Sequence, residues 1–106
     1  MAKGILIVHT AAADGRDDDF QAWYGNVHIP EILRLSGFTS ARRFTRVGQS
    51  DHPYLAVYEI EADDIAAAQA GIGAAAQAGE LQMSDSMSMS PPPKMELFAL
   101  VSEHPA

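Results

Sequence analysis

Apolar residues along the chain change period several times, and each change marks an element. Ile5-Leu6-Ile7-Val8, within Gly4–His9, is a continuous β-branched-rich run of the kind found in strands buried on both faces. After the turn at Asp14-Gly15, Asp17, Asp18 and Asp19 put negative charge where a helix begins. Phe20, Trp23, Tyr24 and Val27 follow at helical spacing as one stripe, and His28, four residues after Tyr24, extends it by a turn. Pro30 disfavours helical geometry at Ile29, which predicts an end or a kink there, and then a short second turn over Glu31–Leu35 closed by Ser36-Gly37.

Phe38–Arg46 and Tyr54–Ile60 read as two strands joined through the turn-rich stretch 48–53, a hairpin. Asp63 and Asp64 cap a second helix from Ile65 to about Ala78. That helix is alanine-rich and carries Gly71 and Gly73, each costing roughly 1 kcal/mol against alanine, so it needs tertiary support. Residues 79–93 hold a methionine-serine tract followed by Pro91-Pro92-Pro93 and read as a loop: a disordered connector, with a lid over a site as the alternative. Lys94–Val101 is the last strand.

The order β-α-β-β-α-β predicts an α+β, ferredoxin-like domain with a four-stranded antiparallel sheet, and 106 residues suffice for one such domain. Two helices cover one face of that sheet. The strands, however, are apolar on both: Tyr54, Ala56, Tyr58 and Ile60 alternate with Leu55 and Val57. An uncovered face of several hundred Å² is more than a monomer usually tolerates, so a second copy packed sheet to sheet is expected. An irregular cap over that face is the alternative.

Composition narrows the partners. Fourteen acidic against seven basic side chains give a formal charge of −7, which opposes binding to phosphate backbones. Arg42, Arg43 and Arg46 are the only basic cluster, and strand alternation divides it. No nucleic-acid partner is expected. The absence of cysteine removes thiol nucleophiles and thiolate metal sites. No apolar run approaches the length of a membrane span, and the cytoplasm is the expected compartment. Four histidines without short spacing or an acidic partner to complete a ligand set predict no metal site.

Phe20-Gln21-Ala22-Trp23-Tyr24, then His28-Ile29-Pro30-Glu31, then Gly37-Phe38-Thr39-Ser40-Ala41-Arg42-Arg43-Phe44 resembles the EthD-like group of dimeric α/β-barrel proteins over residues 4 to about 62. The resemblance implies a homodimer with facing sheets and a small cavity in each subunit beneath the helices. It implies cofactor-independent isomerase, cyclase or dehydratase chemistry on cyclic or aromatic molecules, or a non-catalytic accessory role. A characterised isomerase of the superfamily carries active-site histidines that match His28 and the His52 of His52-Pro53-Tyr54-Leu55, but also a cysteine with no counterpart here.

His28 is the strongest catalytic candidate. A neutral imidazole in a partly apolar site takes a proton from an acidic carbon and returns it elsewhere; the alternative is a helix C-cap bonded to backbone carbonyls. Trp23, Tyr24 and Tyr58 are core residues whose rings can also wall a pocket, with hydroxyls donating to an oxyanion. Arg42, on the strand face of Phe38, Ser40 and Phe44, and Arg43, on that of Thr39, Ala41 and Thr45, are candidates for binding a substrate oxygen. The alternative, preferred for either, is an interface or surface ion pair with Glu59 or Glu61 as partner. The topology lets His9 and His52 approach each other at one end of the sheet, far from His28. Glu31 either orients His28 or serves the helix dipole, the second being preferred. The function expected is a cofactorless lyase or isomerase working by proton transfer on a small cyclic or aromatic metabolite. A binding accessory protein and a cofactorless oxygenase are the alternatives.

Overall fold

The β-branched run near the start forms β1 (Ala2–Thr10), the strand around which the sheet is built. The computed structural model describes all 106 residues. After β1 come α1 (Asp17–Trp23), a π-helical turn (Tyr24–His28) and α2 (Ile29–Leu33). The chain continues through β2 (Phe38–Thr45), β3 (Tyr54–Ala62), α3 (Ile65–Gln77) and β4 (Lys94–Ala99). The sheet order is β2-β3-β1-β4 and every pairing is antiparallel, the ferredoxin-like arrangement expected from the element order.

Register decides which side chains meet. Leu6 lies opposite Tyr58 and Leu97, and Val8 opposite Ala56 and Met95. Alternation therefore turns Leu6, Val8, Thr10, Ala56, Tyr58 and Ile60 toward the helices, where all are buried. Ile5, Ile7, His9, Leu55 and Val57 face the other way. The helical segments deliver Phe20, Tyr24 and Ile32 onto the first set, and α3 delivers Ala68. Burying each of the larger side chains stabilises the fold by about 1.5–3 kcal/mol.

The predicted break before Pro30 does not occur. Ile29 keeps right-handed helical angles (φ −60°, ψ −48°), and its N–H donates to the Tyr24 carbonyl across a widened turn. The proline, which has no N–H and crowds the preceding turn, follows directly on this loosened stretch of the ladder, so α1, the π turn and α2 form one continuous rod. At α3, Asp64 accepts a hydrogen bond from the Ala67 N–H at 3.2 Å, a cap worth about 1 kcal/mol.

Residues 79–93 are not the disordered connector expected from their composition. The Ala13 N–H donates to the Ser86 carbonyl (2.7 Å) and the Ser88 N–H to the Ala11 carbonyl (2.8 Å), which docks the loop through a single antiparallel β-bridge, Ala12 to Met87, on the stretch just after β1. Ser86 is fully buried, and the Ser84 and Ser88 hydroxyls accept from the N–H groups two residues on. The serines thus serve as local turn makers, and the backbone pairing supplies the order. No helix is long and apolar enough to cross a membrane.

Candidate functional site

A cavity of about 490 Å³ lies on the helical side of the sheet. Val8, Thr10 and Tyr58 form its floor; Tyr24, His28 and Ile32 one wall; α3 and the docked loop the rest. Its existence follows from the poor helix-packing residues of α3. Beside Gln69 and Ile72, α3 turns only the small Ala66, Ala70, Gly73 and Ala76 toward the space, which stays open where leucines at those positions would fill it. Leu81, Met83 and Met87 from the loop supply adaptable apolar contacts.

His28 owes its position to the π turn. In a regular α-helix, residues five apart diverge around the axis; the widened turn swings His28 back between Trp23 and Tyr24. Its ring stacks on Trp23 (4.7 Å between centroids, 26° between planes) and meets Tyr24 edge-on (4.9 Å, 68°). Nδ1 is sealed from solvent and has no hydrogen-bond partner, so the ring does not cap the helix through that nitrogen. Burial pushes the imidazole below its ordinary pKa, opposed by the Glu31 carboxylate, and leaves the ring neutral.

Glu31 does more than serve the helix dipole. Its side chain is buried, and both carboxylate oxygens accept from the Gln82 N–H, at 2.9 and 3.3 Å. The Trp23 indole N–H donates to the Gln82 carbonyl at 2.8 Å. The backbone of one loop residue, Gln82, is thereby held at both its N–H and its carbonyl by residues flanking His28. Local sequence offers no signal for this clamp, because its two halves lie some fifty positions apart.

The Tyr58 hydroxyl donates to that of Tyr24 at 3.0 Å, and both groups are buried. Burial pushes both phenols up, so they stay protonated, and the Tyr24 hydrogen remains available to a group in the cavity. Arg43 stands 4.5 Å from the Tyr24 ring centroid and donates to the Gln21 Oε1 at 2.7 Å. Its positive charge partly offsets the burial of the Tyr24 phenol. Of the two neighbouring strand arginines, register places only Arg43 on the helical side.

Of the residues predicted for the site, the structure brings together His28, Tyr24 and Tyr58 on the cavity wall, with Trp23 stacked behind His28. Arg42 is not with them. It stands opposite Val57 on the far face, 3.9 Å from Glu59 and over the Phe44 ring, because neighbouring strand residues point to opposite sides. His9 and His52 meet at the sheet end, 6.2 Å between ring centroids, held by Glu96 and the Pro92 carbonyl. Neither lines the cavity. No three His, Asp or Glu side chains are grouped so as to hold a metal ion.

No protein-family model matches the sequence, and no curated protein sequence does. Solved structures do share the fold. A candidate monooxygenase from Shewanella loihica PV-4 superimposes with a TM-score of 0.64 at 13% identity, covering 97% of this chain and 99% of its own. An arginine-to-serine variant of MhuD, with two manganese protoporphyrin IX molecules in each active site, gives 0.65 at 16% identity with the same coverage. An ethyl tert-butyl ether degradation (EthD) family protein from Bacillus halodurans C-125 gives 0.59 at 15% identity, covering 92% of this chain and 96% of its own. At these identities the likeness concerns architecture alone: the chain shares the ferredoxin-like fold of these structures, an EthD family protein among them.

Proposed function

We propose that this chain is a cofactor-independent lyase or isomerase that moves a proton on a small cyclic or aromatic molecule, with His28 as acid and base. The carrying observation is the state of His28 on the cavity wall: a neutral imidazole stacked on Trp23 and set edge-on to Tyr24, beside the linked Tyr24 and Tyr58 hydroxyls. In the reaction, a C–H bond next to a carbonyl breaks and its proton passes to the imidazole. The electron pair moves onto the carbonyl oxygen as an enolate, which the Tyr24 hydroxyl stabilises by donation. His28 then returns the proton to a different carbon, or to a departing hydroxyl that leaves as water.

A homodimer belongs to this reading. Phe44, Phe98 and Leu100, each close to half exposed, lie with Ile5, Ile7, Leu55 and Val57 on the sheet face that no helix covers. A second copy packed on that face would cover them.

The test is hydrogen exchange in heavy water. Cyclic enolisable ketones and phenols are incubated with the protein, and loss of ring C–H signals is followed by NMR. Exchange with at least one compound is expected, with a fall of about 10²–10⁴-fold in His28→Ala. An unchanged rate in a folded His28→Ala protein overturns the reading. A cofactorless oxygenase is the second reading, supported by the monooxygenase candidate among the structures of the same fold. Oxygen uptake with the same compounds, measured by electrode, identifies it.

A further inference from the structure

The residues around the cavity include no charged side chain: of seventeen, twelve are hydrophobic and the polar ones are neutral. Two charges do lie close, but each is committed elsewhere. The Glu31 carboxylate is held by the Gln82 N–H, and the Arg43 guanidinium lies against the Tyr24 ring and bonds to Gln21. What faces a guest is a neutral imidazole, the linked Tyr24 and Tyr58 hydroxyls, the Thr10 hydroxyl and the Gln69 amide.

Building on the proton-transfer reading, we infer that the site selects an uncharged ring compound bearing a hydroxyl or carbonyl, and rejects carboxylates and phosphates of the same shape. A carboxylate brought into this space would lose its hydration and gain no cation. A phenol or ketone loses far less and finds donors and acceptors in the two tyrosines and His28. Negative charge is tolerated on the ligand only as it develops on the oxygen that Tyr24 meets. Volume agrees, since about 490 Å³ falls within the roughly 300–1,000 Å³ of sites for compact organic ligands. Gln69, on α3, is the specificity-determining position, because it is the one polar side chain that helix turns toward the space.

Calorimetric titration with matched pairs decides it: 1-naphthol against 4-hydroxy-1-naphthoate, and 1-tetralone against its ring-carboxylated analogue. At least one neutral member is expected to bind tenfold or more tightly than its carboxylated twin. Gln69→Lys is expected to reverse that preference, and Gln69→Asn to leave it in place. If no neutral member binds more tightly than its twin, or if Gln69→Lys leaves the order untouched, the assignment falls. The titration requires no turnover. A neutral preference without hydrogen exchange would sink the proton-transfer reading alone, and exchange without the preference would sink this one alone.

Discussion

At the scale of single residues, the molecule invests in one imidazole. His28 is held by two aromatic rings, and its pKa is lowered chiefly by burial. The unfolded chain, where the ordinary value of 6.5 applies, therefore binds the proton first as pH falls. Stability gained by burying the neutral ring is fully present above about pH 6.5 and is lost as the pH drops through the lower, folded value. Urea unfolding of wild type and His28→Phe at pH 7 and pH 5 should show the wild type losing more stability on acidification. Equal losses would contradict a buried neutral ring. The Glu31 carboxylate opposes the lowering, so Glu31→Gln should move the His28 titration, followed by NMR, to still lower pH. Glu31→Ala should cost about 1.5–3 kcal/mol, because it leaves the Gln82 N–H without its charged acceptor.

Among the elements, α3 and β1 use glycine in opposite ways. A Cβ at Gly71 meets nothing within 4 Å, and its backbone is an ordinary right-handed helix. Gly71→Ala should raise stability by about 0.4–1 kcal/mol, seen as an increase of a few degrees in Tm. At Gly4 a Cβ would stand 2.4 Å from the Phe98 carbonyl and 2.8 Å from the Ile65 Cδ1. Gly4→Ala should cost at least about 1–3 kcal/mol, because β1 and β4 cannot separate without breaking their ladder. Thermal melts of the two variants should therefore move in opposite directions.

For the molecule as a whole, the open face of the sheet is the decisive feature. It mixes apolar side chains with ion pairs, Lys3 to Glu61 at 3.5 Å and Arg42 to Glu59 at 3.9 Å. Exposed pairs of this kind contribute at most about 1 kcal/mol and do not remove the need to cover the hydrophobic surface. Sedimentation at micromolar concentration should give a dimer. Ile7→Asp, which puts a carboxylate between Val57 and Glu96 near the middle of that face with no cation opposite, should shift the protein toward monomer without changing its secondary structure. A wild-type monomer would leave the sheet-to-sheet pairing without support.

Amino-acid order alone determined the element sequence, the antiparallel sheet, the helical stripe bearing Phe20 and Tyr24, and the pairing of Phe38–Arg46 with Tyr54–Ile60. Those properties are encoded in local periodicity and turn residues, which act over a few positions. Only tertiary structure decided the rest. Pro30 was absorbed by a π turn instead of ending the helix, since rod-to-sheet packing outweighs one proline's local preference. Arg43, and not Arg42, reached the helical side because register across three strands sets the facing. The serine-rich loop became ordered because distant partners, Glu31, Trp23 and the stretch after β1, took up its backbone hydrogen bonds, and no local pattern records a contact made across the fold.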